Sequence, residues 1–255
     1  MANYDVFGDL VVVKFSRETK MAEKKKWASD FLNRFKNIKS VLEKSDKFKG
    51  RLRVQSTKHI LGEKTKEVLC KENGCVFRFN LDSCYYSPRL SSERLDVANM
   101  VKKGEEILVM CGGVGPFAIV IAKLGKAKKV ISVELGRECS RYALENVKKN
   151  KVDVEVIQGD VRKQVPKLKN KFDRIVMARP NLKDTFLDVA FNKIKKNGII
   201  QYYGFCSEEE LVNVKDLMNS EAEKAKKKIK ILEFKKAGEI GPFMFRYRVD
   251  FRVLN

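Results

Sequence analysis

The chain of 255 residues contains a single histidine, His59, and none of its six cysteines forms a CxxC pair. One histidine excludes multi-histidine metal sites and leaves a histidine-based catalytic triad without material. Cys70, Cys75, Cys84, Cys111, Cys139 and Cys206 are thinly spread. They read as mostly buried thiols of an intracellular protein, with Cys70 and Cys75 spaced to leave a small loop disulfide open. Long apolar runs are missing too. The longest stretch without a charge, Ile107 to Ala122, spans 16 residues and is broken by Gly112, Gly113, Gly115 and Pro116. A membrane helix needs roughly 20 mostly apolar residues. The opening MANYDVFGDL lacks the basic-then-apolar layout of a signal peptide. A cytoplasmic protein, with no membrane and no metal partner, is the expectation.

Positive charge is in excess. Lys and Arg number 54 against 33 Asp and Glu, a formal net charge of +21. The basic residues recur along the whole chain, at 24–26, 102–103, 148–149, 195–196, 226–228 and 235–236. Solvated lysine-rich helices would account for part of this. A field of this size favours a polyanion, and release of phosphate counterions would supply salt-sensitive affinity. With 44% hydrophobic residues the chain can bury a core, which excludes wholesale disorder.

From Gly104 onward strand-like runs alternate with helix-like ones. The strand candidates are Ile107–Met110, Lys129–Glu134, Val154–Asp160, Arg174–Ala178 and Gly198–Gly204. Alternation of this kind implies right-handed crossovers and a mainly parallel sheet covered on both faces. Two further candidates, Lys228–Phe234 and Arg246–Leu254, have no helix between them and should pair antiparallel at one edge. The predicted fold is α/β: a Rossmann-like seven-stranded methyltransferase domain over 99–255, preceded by a small α+β domain over 1–98. In the latter, a turn at Tyr4–Asp9 precedes a strand at Leu10–Phe15. A helix at Glu23–Phe35 and strands at 58–60, 66–69 and 75–80 follow.

Cys111-Gly-Gly-Val-Gly-Pro-Phe117 joins the first α/β strand to its helix. Glycines there let the backbone approach a ligand, and the helix N-terminus points N–H groups into the same space. Glycine turns between strand and helix are common, so the acidic residues that follow carry more weight. Glu134 ends the second strand, where a carboxylate can hold ribose hydroxyls, and Asp160 ends the third, where an adenine would lie. The loop has no P-loop lysine and GGVGPF is not GxGxxG, which favours S-adenosylmethionine over ATP or NAD.

With these residues in place the chain resembles the archaeal and eukaryotic tRNA (guanine-37-N1)-methyltransferases, from Tyr4 to the end. The resemblance rests on YDVFGDLVVVKF, GRLR, ENGCVFRF, SPRLSSER, GGVGPFAI, VELGRE, GDVRK, FDRIVMARP, GIIQYYGF and YRVDFRV. Of these, SPRLSSER is the most specific, because generic methyltransferases have no such block before the glycine loop. The extra N-terminal tRNA-elbow domain of many archaeal members is expected to be absent.

The resemblance implies S-adenosylmethionine as cofactor, the anticodon stem-loop of tRNA as partner, and a monomer. It implies that Glu93 is the general base for guanine N1 and that Arg53 contacts the guanine O6. It implies that Arg94, Gly112, Gly113, Gly115, Glu134, Leu135, Asp160 and Val161 hold the cofactor. Arg89, Arg179, Pro180 and Asn181, with Arg53, are implied to hold the substrate.

Two positions depart from the family. Val109 stands where it has an acid at the end of the first strand. Ala178 stands where it has the Asn of an Asn-x-Pro loop that orients the guanine. These departures keep other readings open. One is transfer of the 3-amino-3-carboxypropyl group in wybutosine synthesis; another is methylation of a wyosine precursor. A third is a tRNA-binding homologue with impaired catalysis.

Overall fold

Val6, Leu10, Val11, Val12 and Val13 flank a Gly8–Asp9 turn, and β-branched runs on both sides of such a turn fold back as a hairpin. In the computed structural model, which describes residues 3–45 and 54–255, β1 (Asn3–Phe7) pairs antiparallel with β2 (Leu10–Lys14). Most of the turn expected at 4–9 is therefore strand. Gly8 takes φ 60°, and a Cβ there would stand 2.3 Å from the Leu69 carbonyl oxygen, so glycine alone fits.

A crossover through α1 (Met21–Arg34) brings β3 (Ser40–Lys44) parallel to β2, and β4 (Thr57–Gly62) returns antiparallel to β3. Trp27, Phe31 and Phe35 recur every fourth residue. Their rings lie 4.8 and 4.6 Å apart, against a core that includes Val11, Val13, Val41 and Ile60. β3 escapes the sequence pattern because only Val41 and Leu42 are apolar in a lysine-rich stretch, yet both are fully buried.

β5 (Glu67–Glu72) and β6 (Cys75–Asn80) form a separate hairpin. Its register sets Cys70 opposite Phe77 and Cys75 opposite Glu72, and all six cysteines are free thiols. The stagger rules out the Cys70–Cys75 disulfide.

The chain divides into two compact units, Met1–Pro88 and Arg89–Asn255. The join expected at 98/99 lies at the far end of α2 (Ser91–Asn99), which instead opens the second unit by burying Val97 and Ala98 and packing on α3 (Pro116–Leu124).

In that unit strands and helices alternate as expected. The run is β7 (Glu106–Met110), α3, β8 (Lys129–Glu134), α4 (Arg137–Asn150), β9 (Glu155–Gln158), α5 (Val161–Gln164), β10 (Phe172–Met177), α6 (Leu187–Lys193) and β11 (Ile194–Cys206). Helix α7 (Leu211–Lys224) then leads to β12 (Ile229–Gly241) and β13 (Met244–Val253).

The seven-stranded sheet has the order β12-β13-β11-β10-β7-β8-β9. β7 to β11 are parallel, whereas β13 runs antiparallel to both of its neighbours. Ile107, Leu108 and Val109 are all fully buried, as in a parallel strand covered on both faces. The strand order reverses between β7 and β10, and the crevice at such a point, outside the carboxyl ends of the strands, is where open α/β sheets bind ligands. Among the described residues no helix is long and apolar enough to cross a membrane. None of their His, Cys, Asp and Glu side chains group as candidate metal ligands.

Candidate active site

The turn after β7 holds three residues in the left-handed region: Cys111 at φ 59°, Gly113 at 58° and Gly115 at 89°. Gly112 lies flat on β8. A Cβ there would stand 2.0 Å from the Ser132 Oγ, and Ser132 Oγ is itself buried without a hydrogen-bond partner. The Gly112 amide donates to the Val133 carbonyl at 3.0 Å, and Gly115 donates to the Gly112 carbonyl at 3.0 Å. From α4, the buried Asn146 donates to the Val114 carbonyl at 3.0 Å. The loop is thus held open and close to the strand ends, with Gly115 and Pro116 leading into α3.

Glu134 closes this end of the crevice. Its Oε2 accepts from the Gly113 amide at 2.8 Å and its Oε1 from the Gly136 amide at 2.7 Å. Burial pushes this carboxyl above the usual glutamate range, while the amides of Gly136 and Gly113 pull it back. The Glu134 carbonyl accepts from Gly159 at 2.7 Å, which draws the end of β9 alongside. The next residue, Asp160, is half-buried and caps α5 by accepting from the Arg162 amide at 2.9 Å. Val161 is buried and Leu135 half-buried. Of the expected cofactor residues, the glycine loop and Glu134 are bonded directly and Asp160 is linked through Gly159.

Glu93 lies elsewhere in the unit, on α2, and is 4% exposed. Its Oε1 accepts from the Tyr203 hydroxyl at 2.7 Å and from Arg248 Nη1 at 2.7 Å, while Lys235 Nζ stands 3.7 Å from Oε2. Arg248 is completely buried on β13 and also donates to Asp250 at 2.9 Å and to Glu233 at 3.0 Å. Burial opposes its charge, but the carboxylates of Asp250 and Glu93 outweigh that and hold it protonated. Burial and the Glu93 charge push the Tyr203 hydroxyl well above its ordinary value. Tyr203 therefore stays a neutral donor. Lys235 also bonds Asp96. The neighbouring Arg94 is buried, with its guanidinium 5.9 Å from the Phe117 ring, which in turn lies 5.6 Å from Tyr203.

Sequence reasoning passed over Tyr203, Lys235, Arg248 and Asp250. A signal for them exists: Arg246, Arg248, Asp250 and Arg252 place a charge at every second position of an otherwise apolar strand. On a sheet face that is covered, such charges must pair.

The loop after β10 carries Arg179, which is buried and also lines the cleft beside the loop. It donates to the Tyr202 hydroxyl at 2.9 Å, the Tyr203 carbonyl at 3.3 Å, the Asp184 carbonyl at 2.9 Å and the Leu182 carbonyl. A buried guanidinium takes acceptors where it finds them, and here the loop's own carbonyls surround it. From outside, Arg162 grips Asp184 through two bonds of 2.6 and 2.7 Å and Asp188 at 2.9 Å. Pro180 is half-buried, whereas Asn181 and Arg89 are exposed. A cleft of about 140 Å³ opens beside this loop, lined by Asn181, Leu182, Tyr202, Gly204 and Phe205 among others. A larger one, about 250 Å³, lies at the opposite ends of β7 to β9, around Glu106, Lys129 and Glu155. It is remote from the glycine loop. Val109 is fully buried, and Ala178 follows β10 directly. Arg53 lies outside the described residues.

Residues 68–232 match the TRM5/TYW2 methyltransferase domain, and residues 1–65 match the TYW2 N-terminal domain. The chain is similar to the tRNA (guanine(37)-N(1))-methyltransferase Trm5b of Pyrococcus abyssi, with 33% identity over 257 residues, 98% of this chain and 74% of the relative. It is also similar to the tRNA 4-demethylwyosine(37)-methyltransferase Taw21 of Saccharolobus solfataricus, with 35% identity over 200 residues, 78% of this chain and 76% of the relative. The crystal structure of wild-type Trm5b from Pyrococcus abyssi superposes with a TM-score of 0.89 at 32% identity, covering 99% of this chain and 75% of that one.

Proposed function

We propose a function for a chain that belongs to the TRM5/TYW2 methyltransferase family: transfer of a methyl group from S-adenosylmethionine to N1 of guanosine 37 in tRNA, next to the anticodon. The observation that carries this reading is Glu93. It is a buried carboxylate with one oxygen tied to Tyr203 and Arg248 and the other 3.7 Å from the Lys235 ammonium. The similarity to a guanine-37-N1-methyltransferase over 98% of the chain supports it.

The residues of the crevice fit the cofactor. The Gly112 backbone packs against Ser132 so closely that no side chain fits there, which holds the loop at the strand ends, and Glu134 and Asp160 are carboxylates suited to ribose hydroxyls and to an adenine amine. When bound, S-adenosylmethionine supplies a methyl group made electrophilic by its sulfonium. In the reading proposed here, the Gly112–Gly115 backbone admits the cofactor, Glu134 holds its ribose and Asp160 its adenine, with Leu135 and Val161 flanking the ring. Arg94 adds a buried positive charge beside the Phe117 ring of α3.

Glu93 takes the N1 proton at Oε2, since Oε1 is already engaged by two donors. The neutral Tyr203 hydroxyl and the charged Arg248 hold the carboxylate in one orientation, as a general base requires. Lys235 remains as a cation beside the newly protonated acid. Arg53, by family resemblance, meets the O6 on which charge develops; Arg89, Pro180 and Asn181 border the acceptor. The N-terminal unit and the lysine clusters add contacts to the tRNA backbone.

A second reading draws on specific observations. Residues 1–65 match a TYW2 N-terminal domain, the chain is similar to a 4-demethylwyosine methyltransferase, and Ala178 stands where the guanine enzymes have Asn. A smaller side chain there leaves room for a tricyclic base. Purified protein, tRNA with guanosine or 4-demethylwyosine at position 37, and cofactor labelled in the methyl or the carboxyl group separate the readings. Methyl label entering the guanosine tRNA is expected. Methyl label entering only the wyosine precursor transfers the assignment to that acceptor, and carboxyl label entering tRNA makes the protein an aminocarboxypropyl transferase. If neither label moves while tRNA still binds, the protein is a binding homologue.

A further inference from the structure

The loop after β10, residues 178–186, has no regular structure, and side chains hold it. Arg179 fills its inside and donates to the Leu182 and Asp184 carbonyls. The Asp184 carboxylate accepts from the Phe186 amide at 3.1 Å, and the Thr185 hydroxyl accepts from the Leu187 amide at 3.4 Å. Phe186 is buried at φ 58°, a left-handed backbone that a residue with a Cβ resists. Strain of this kind persists only where the surroundings over-determine it, and it gathers where a position must be fixed.

Arg162 supplies the outer half of that frame. From α5 its guanidinium meets both oxygens of Asp184, at 2.6 and 2.7 Å, and both of Asp188, at 2.9 and 3.3 Å. It also lies 5.4 Å from the centroid of the Phe186 ring. The bonds from Arg162 hold the Asp184 carboxyl below the usual aspartate range. An exposed ion pair contributes little to stability, and the Arg162 side chain is 43% exposed. A planar fork that engages two carboxylates at once fixes geometry instead.

The geometry fixed here has two ends. The main-chain amide of Arg162 donates to Asp160 Oδ1 at 2.9 Å, and Asp160 is the acid read as meeting the adenine. The side chain of Arg162 grips the loop whose Asn181 and Leu182 line the cleft of about 140 Å³. One residue thus joins the turn read as holding the cofactor to the loop read as bordering the acceptor.

We propose that Arg162 is a positioning residue for methyl transfer. Its side chain fixes the acceptor loop against the turn that carries Asp160, so that the base meets the methyl group in one orientation. The inference rests on the methyl-transfer reading above.

Arg162→Met tests it, because the guanidinium is lost while the amide that bonds Asp160 stays. The full-length protein is given methyl-labelled cofactor and an anticodon stem-loop RNA carrying guanosine 37. Calorimetric affinities for cofactor and for RNA should stay close to wild type. The single-turnover rate at saturating cofactor and RNA should fall about ten- to a hundredfold, the range for a displaced reactant. Asp184→Asn, which keeps an oxygen for the Phe186 amide, should lose as much. Asp188→Asn, on α6 and outside the loop, should stay close to wild type. The double variant Arg162→Met/Asp184→Asn should be no slower than the slower single variant. If Arg162→Met fails to fold, the two Asn variants decide alone.

A wild-type rate in Arg162→Met overturns the inference, as does a loss of rate matched by weaker cofactor binding. Equal losses in Asp184→Asn and Asp188→Asn make the contact a structural tether and overturn it too. Each of these outcomes leaves methyl transfer to the RNA standing. Wild-type protein that transfers no label to the RNA overturns that reading and the inference together.

Discussion

Glu134 and Glu93 are both buried carboxylates in the second unit, and each accepts two short hydrogen bonds, but they are held by different means. Glu134 takes its donors from the main chain, Gly113 and Gly136. Glu93 takes its donors from side chains 110 and 155 positions away, Tyr203 and Arg248. Main-chain donors are supplied by the turn geometry itself, so substitutions elsewhere leave them in place. A side-chain cluster has no such security: each member is buried on the assumption that the others are present, and losing one strands a charge. One region is robust because it is local. The other is specific and cooperative because it is assembled from α2, β11, β12 and β13.

Four experiments press on that contrast, beginning with the largest effect. Glu93→Gln keeps the size and an acceptor oxygen but removes the base. Single-turnover transfer with methyl-labelled cofactor should fall a hundredfold or more, while calorimetric cofactor affinity stays at the wild-type value. A Glu93→Gln enzyme of undiminished rate would place the base on another residue.

Arg248→Met comes next. It takes from the buried Glu93 and Asp250 the guanidinium they share, at a cost of about 3–5 kcal/mol. Thermal unfolding should drop by on the order of 10 °C for a unit of this size. The double variant Arg248→Met/Glu93→Gln should lose less than the two single losses added, because the stranded charge is gone. Strict additivity would mean that the cluster is not a unit.

Glu134→Ala should act on the other region alone. Cofactor affinity should fall tenfold or more, the worth of charge-assisted hydrogen bonds of about 1.5–3 kcal/mol. The rate at saturating cofactor should change far less than in Glu93→Gln. Equal effects of the two variants on rate would erase the distinction between a binding and a reacting end.

The smallest effect is in pH. Burial holds the Glu134 carboxyl above the usual glutamate range, so it gains its proton at a higher pH than an exposed glutamate does. The charged form that accepts ribose hydroxyls is fully present above that raised value and is lost as the pH falls through it. Cofactor affinity should therefore decline on acidification earlier than the titration of a free glutamate would dictate. In Glu134→Gln that part of the profile should be flat.

The alternation of strands and helices after Gly104, the antiparallel pair at the edge, the glycine loop and its two acids were all legible in the sequence. Hydrophobic periodicity and glycine placement are local properties, written within a few residues of where they act. β3 and the division of the chain were not legible. Two apolar residues in Ser40–Lys44 become a strand only because a neighbouring sheet edge and α1 bury them, and α2 joins the second unit because it packs on α3. That Arg179, a substrate residue by the resemblance, is buried and wrapped by the loop's own carbonyls is likewise decided by the fold.

Sequence alone determined the alternation of strands and helices, the position of the glycine loop and the place of Glu134 at the end of its strand, because the backbone geometry each needs is dictated by adjacent residues. Tertiary structure alone decided what Glu93 is bound to. A charge buried on α2 must be neutralised by whatever the sheet brings opposite it, and only the pairing of β13 between β11 and β12 sets Arg248 there.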